Sequence, residues 1–176
     1  MGLCAMPLPS HGGGFAAQVR QADVSRQGGY YVLSADINYQ LSDKANEALQ
    51  NGVPLFWAIQ VKVQRQRRFL WDKTLSSTEL RYRLQYHALL NMYRVRNEVS
   101  GEVYNFSTLS AAFDLMSVIR GFRVLEVGRI APGKPYHCAL KVNFVRDALP
   151  LPLRPLAYID PQWYLSSDWT LWPLKK

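Results

Sequence analysis

The chain has 176 residues, of which 48% are hydrophobic, 12% aromatic and 19% charged. That is enough apolar material to bury a normal core in one domain, which excludes wholesale disorder. A formal charge of +8 and a pI near 9.7 favour acidic partners, and with only Cys4 and Cys138 present no disulfide is expected in the mature chain.

Residues 1–16, MGLCAMPLPSHGGGFA, read as the back half of a secretory signal or as a disordered arm. They are short and apolar, with small residues before a cut after Ala16. A positive n-region is missing, and Leu3 stands where a lipoprotein cysteine at Cys4 would need a small residue. The domain proper is then 17–176. No run of 18 apolar residues occurs, so no segment reads as a membrane-spanning helix.

Ala17 to Gln27 reads as a first strand, followed by a Gly28-Gly29 turn. Tyr31, Leu33, Ala35, Ile37 and Tyr39 then alternate with Val32, Ser34, Asp36 and Asn38, a hairpin pattern. Ser42 caps a short helix whose apolar side is Ala45, Ala48 and Leu49. Asn51-Gly52 and Pro54 stop it.

The stretch Leu55 to Arg96 is the centre of the chain. Trp57, Ile59, Val61 and Val63 alternate with Ala58, Gln60, Lys62 and Gln64. Leu80, Tyr82, Leu84, Tyr86 and Ala88 alternate with Arg81, Arg83, Gln85 and His87. Tyr93 and Val95 alternate with Arg94 and Arg96. A period of two with one apolar phase predicts an antiparallel sheet with one buried and one wet face.

The polar phase is strongly basic. Lys62, Arg65, Arg67, Arg68, Lys73, Arg81, Arg83, Arg94 and Arg96 are opposed in this region only by Asp72 and Glu79. Lys62, Arg65, Arg81, Arg83, Arg94 and Arg96 are the candidate partner-binding residues of an anion-binding face. The same charges also suit a solvated sheet face that blunts edge pairing.

Asn97 to Gly101 is a turn and Glu102 to Phe106 a short strand. Ser107 or Thr108 caps a second helix carrying Leu109, Ala112, Phe113, Met116 and Ile119 at helical spacing and ending at Gly121. Such a stripe is core packing. Phe122 to Gly128 is a further strand, Pro132-Gly133-Lys134-Pro135 a turn, and Tyr136 to Arg146 the last clear strand. Cys138 falls on its apolar phase, as a small core residue.

From Ala148 the texture changes. Residues 148–176 carry Pro150, Pro152, Pro155, Pro161 and Pro173 and three of the five tryptophans. Prolines at this density argue against a central strand or a helix, and the aromatics argue against disorder. An extended segment wrapped over the domain is expected, burying Leu151, Leu153, Leu156, Trp163 and Trp169. A polyproline ligand for another domain, or an aromatic belt at a membrane surface beside Lys175 and Lys176, are the rivals.

Catalytic patterns are lacking. His11, His87 and His137 have no metal-ligand spacing, and His87 could meet His137 only across a sheet. No nucleophile-elbow serine and no HExxH motif occur. Asp36 and Asp160 are the carboxylates most in need of inspection, each expected to cap a turn or pair with an arginine. No metal or cofactor is implied, and the reading is of a protein that is not an enzyme.

Three stretches together, SADINYQLSDKANEALQNGVPL, LRYRLQYHAL and LPLPLRPLAYIDPQWYLSSDWTLWPL, resemble the bacterial domain-of-unknown-function family 4390, across roughly residues 17–174. Its members are exported, about this long, and sometimes labelled proline-rich signal-peptide proteins. The resemblance implies a periplasmic envelope protein of a family whose gene tends to sit beside those of a membrane sensor histidine kinase and a ribosomal RNA methyltransferase. It supplies no catalytic residue. The incomplete leader is where this chain departs from the family.

The fold expected is mainly β: an antiparallel, immunoglobulin-like β-sandwich with two short helices and the Pro/Trp-rich segment packed on it. The function expected is a non-enzymatic periplasmic binding or scaffolding protein contacting a membrane or periplasmic protein, with a sensor kinase ectodomain as the specific partner. The alternative is a basic cytoplasmic nucleic-acid-binding domain. Its weakness is that Tyr82 and Tyr86 lie on the apolar phase, away from the arginines, where they cannot form a stacking platform.

Overall fold

The computed structural model describes residues 16–67 and 71–174. The leader-like segment with Cys4 and His11, Arg68 of the basic region, and Lys175 and Lys176 lie outside the described residues. Among the described residues nine antiparallel strands form two sheets. The small sheet has the order β1 (Gln18–Gln27), β2 (Tyr30–Asn38), β7 (Val118–Glu126). The large one has the order β6 (Val103–Phe106), β5 (Met92–Asn97), β4 (Lys73–His87), β3 (Leu55–Arg65), β8 (Tyr136–Phe144), β9 (Thr170–Pro173). The protein is mainly β, as the alternating pattern requires.

The β1–β2 hairpin turns on Gly28-Gly29, with Gln27 opposite Tyr30. Gly28 takes φ +58°, a left-handed value that a side chain would oppose in so tight a turn. The alternating residues of β2 point as expected: Tyr31, Leu33, Ala35 and Ile37 are all buried. Helix α1 (Asp43–Gln50) follows, with the Ser42 hydroxyl accepting the Ala45 amide as its N-cap.

Strand β3 is the middle of the large sheet, paired in register with β4 on one side and β8 on the other. Its residues Trp57, Ile59, Val61 and Val63 are almost wholly buried, as are Leu84 of β4, Val95 of β5 and Cys138, Leu140 and Val142 of β8. Strands β1 and β7 of the small sheet lie against β8, β9, β3 and β4, so both inner faces share one core. Burying a side chain of this size contributes about 1.5–3 kcal/mol. Ala88 lies beyond β4, exposed in the turn to β5.

Helix α2 (Leu109–Ser117), capped by Thr108, covers the part of the large sheet that the small one leaves open, near β5 and β6. It is shorter than its stripe suggests. Val118 is already extended, and Ile119 belongs to β7, opposite Ala35. Gly121 therefore does not end the helix. It takes φ +64° in a bulge where Arg120 and Gly121 together oppose Ser34. Pairing with β2 overrides the helical spacing at the β-branched pair Val118-Ile119.

The C-terminal segment is packed on the domain, but it is not simply extended. It contains a third helix, α3 (Arg154–Ile159), and the edge strand β9. Pro155 sits in the first turn of α3, where a missing amide proton costs no hydrogen bond. Pro173 is the last residue of an edge strand, another place a proline is tolerated. Trp163 is buried as expected, with Leu149, Ala157 and Leu165. Leu151, Leu156 and Trp169, expected inside, are instead 73%, 51% and 40% exposed. Rings link the layers: Phe113 of α2 stacks on Tyr39, Tyr39 meets Trp57 edge-on, Trp57 contacts Phe144, and Phe144 stacks on Trp163.

Candidate anion-binding face

The outward phase of the large sheet brings together residues far apart in the chain. Register places Arg83 directly opposite Arg96, Gln85 opposite Arg94, and Arg81 opposite Ala58. On the other side of β3, Gln60 faces Lys141 and Lys62 faces Ala139. Five of the six expected residues, Lys62, Arg81, Arg83, Arg94 and Arg96, thus share one face, and Lys141 joins them.

Arg65 does not. It lies at the end of β3 in the same phase as Val61 and Val63, opposite the buried Tyr136. The β3–β8 register is unbroken through this point, so Arg65 projects on the core side of the sheet margin.

Two cations facing each other across a ladder repel. Glu98 relieves the Arg83–Arg96 pair, its Oε1 lying 3.4 Å from Arg83 Nε and 3.6 Å from Arg96 Nε. The Glu98 amide donates to the Arg81 carbonyl at 2.8 Å, which fixes the carboxylate between the two arginines. Glu98 lies just beyond the basic stretch, and only the β4–β5 register shows that it returns to it. Arg81 pairs with Glu79 at 3.2 Å, and Arg94 Nε donates to Asn105 Oδ1 at 2.9 Å. The face thus carries Lys62, Arg81, Arg83, Arg94, Arg96 and Lys141 against Glu79 and Glu98. It remains net positive after its internal pairing.

Trp169 lies on this face. Lys62 Nζ is 4.6 Å and Lys141 Nζ 6.0 Å from its ring centroid. Sequence periodicity missed Lys141 and Trp169 because the segment holding Trp169 has no period, and Lys141 is isolated from other basic residues in the chain.

The histidines stay apart. His87 is opposite Met92 at one end of β4, while His137 faces Gln64 at the other end of the sheet. His137 Nε2 is 3.3 Å from Gln64 Oε1 and 3.5 Å from Asp72 Oδ2. Among the described residues no group of three His, Cys, Asp or Glu side chains could hold a metal ion. No helix among them is long and apolar enough to cross a membrane.

Both inspected carboxylates have structural partners. Asp36 pairs with Arg120, which the β7 bulge throws outward and which also donates to the Ala35 carbonyl at 3.0 Å. Asp160 caps the short turn Pro161–Trp163 by accepting the Gln162 amide at 3.0 Å, and it pairs with Lys44 of α1. The Lys44 hydrogen bond, helped by the Gln162 amide, holds the Asp160 carboxyl below its ordinary value. Beside this pair, a cavity of about 390 Å³ lies between α1 and the C-terminal segment, lined by Ala48, Val53, Leu153, Leu156 and Trp163.

No curated protein and no solved structure matches the chain. One family model does, and it spans the hairpin, the basic face and the C-terminal segment alike. The chain belongs to the family described as Domain of unknown function (DUF4390), whose model matches residues 16–173.

Proposed function

We propose that the protein is an exported, non-enzymatic binding module of the bacterial periplasm that captures an acidic segment of a membrane or periplasmic protein. The scaffold is a two-sheet sandwich of immunoglobulin-like general architecture. The partner that the family resemblance suggests is the ectodomain of a membrane sensor histidine kinase. One observation carries the reading: Lys62, Arg81, Arg83, Arg94 and Arg96 stand in register on one sheet face, opposed among the described residues by Glu79 and Glu98. Such a face raises the encounter rate with an acidic surface and sets which partners approach.

The test places a photo-crosslinker at Arg94 in living cells. A cross-link to an acidic envelope protein, lost when Arg81→Glu and Arg83→Glu are combined without a change in melting temperature, supports the reading. An unchanged cross-link removes this face from it.

A second reading is a cytoplasmic binder of single-stranded nucleic acid. Trp169 favours it, as an outward ring between Lys62 and Lys141 of the kind on which a base stacks. It requires oligonucleotide affinity that falls steeply with salt and a protein recovered from the cytoplasmic fraction.

A further inference from the structure

Beside the arginine row, where β8 meets the C-terminal segment, lies a small cavity of about 250 Å³ lined by Lys141, Asn143, Arg146, Tyr164 and Ser166. We propose that it is a binding site for a phosphate group. The inference does not depend on the acidic-partner reading: of the residues lining the cavity only Lys141 also belongs to the basic face, and the arginines that carry that reading are not among them.

The chain builds the cavity in three steps. Alternation along β8 sends Lys141 and Asn143 to the outer face, since Leu140, Val142 and Phe144 are buried. The short turn Arg146–Ala148 then brings Arg146 to the end of that row. The segment after Trp163 returns along β8, and Tyr164 and Ser166 close the far wall.

The polar groups in the cavity are mostly donors. Ser166 Oγ accepts the Phe144 amide at 2.9 Å and lies 3.3 Å from Asn143 Oδ1. That contact occupies the asparagine's acceptor and leaves its NH₂ group for a ligand. Arg146 gives one N–H to the Ala157 carbonyl at 3.3 Å. Its guanidinium packs against two rings, 4.6 Å from the Tyr158 centroid and 5.2 Å from that of Tyr164. Tyr164 is itself fixed by donating to the Tyr158 carbonyl at 3.2 Å. Among the described residues most of the guanidinium fork therefore remains free, and little freedom is lost when it grips an oxyanion.

Charge points the same way. No carboxylate of the described residues lies within 4.0 Å of Lys141 or Arg146. Asp147, next to Arg146 in sequence, is taken by the Tyr158 hydroxyl. Two cations thus line one small cavity with no acidic residue in its wall. A phosphate group answers this with matching charge and with oxygens for the fork, the ammonium and the amide.

The phosphate could arrive on a soluble ester or on a lipid headgroup, and the experiment separates the two. Inorganic phosphate and acetate are titrated into the full chain, followed by calorimetry and by the fluorescence of nearby Trp169. Flotation with phosphatidylglycerol and phosphatidylcholine vesicles runs in parallel. Saturable phosphate binding, at least about tenfold weaker in Lys141→Gln at unchanged melting temperature and retained in the Arg81→Glu/Arg83→Glu variant, supports the site and a soluble ligand. Selective flotation with phosphatidylglycerol, lost in Lys141→Gln, supports it and assigns the headgroup. Equal binding by wild type and Lys141→Gln, acetate as good as phosphate, or no binding in either assay overturns it. Arg146→Gln serves as a second variant, read only where its melting curve shows that the C-terminal segment stays docked.

Discussion

Ser167 and Val142 exchange two hydrogen bonds: the Ser167 hydroxyl accepts the Val142 amide at 2.9 Å, and the Ser167 amide donates to the Val142 carbonyl at 2.8 Å. Next to them, Ser166 Oγ accepts the Phe144 amide. Serine side chains thus stand in for a strand and continue the edge that β9 begins. The free edge of β8 is closed by the chain's own tail, which protects it from pairing with another molecule.

Ser167→Ala leaves the amide of fully buried Val142 without its acceptor. The expected cost is about 1–3 kcal/mol, read as a lower denaturation midpoint at unchanged slope. A loss much below that range would mean the tail contributes little to closing this edge.

Two tryptophans six residues apart should behave differently. Trp163 is buried and stacks on Phe144, so Trp163→Ala should cost about 3–5 kcal/mol. Trp169 lies partly exposed on the outer face beside Lys62 and Lys141, so Trp169→Ala should cost under about 1 kcal/mol. Chemical denaturation of the two variants in parallel checks the contrast, and equal losses would place Trp169 in the core.

Cys138 is fully buried in β8, and burial pushes its thiol up to about 12. The thiolate is therefore negligible at pH 8. In a Cys4→Ser background, alkylation of the native protein should proceed only through unfolding, at a rate that follows denaturant concentration. Rapid labelling without denaturant would contradict this packing.

Asp160 should carry a pH signature. Its folded carboxyl titrates below the ordinary value of 3.8, chiefly because of Lys44. Its stabilisation is fully present above that value and is lost as pH falls through the lower folded value. Thermal melts of wild type and Asp160→Asn should differ at neutral pH, begin to draw together near the ordinary value of 3.8 and converge only below the lower folded value. A gap of the same size at pH 3 and pH 7 would show that the charge is not its source.

Local chemistry determined much of this protein directly from sequence. Period-two alternation identified β2, β3, β4, β5 and β8 and assigned Trp57, Ile59, Val61 and Val63 to the core. The glycine pair set the first hairpin, and Ser42 set the start of α1 by capping a neighbour three residues on. These signals act within a few positions, so they survive without the rest of the fold. What tertiary structure alone decided involves partners distant in the chain. Ile119 reads as helix until β2 offers it a ladder. Arg65 reads as part of the basic face until register with Tyr136 turns it to the other side. Glu98 becomes the counter-ion of Arg83 and Arg96 only because β4 and β5 pair as they do. Trp169 reads as core because it is large and apolar, yet the tail carries it to the outer side of β8, where it lies partly exposed beside Lys62 and Lys141. Alternation says which residues share a face. Only long-range pairing says which face is covered, because hydrogen-bond register and burial are settled by strands that meet across the whole chain.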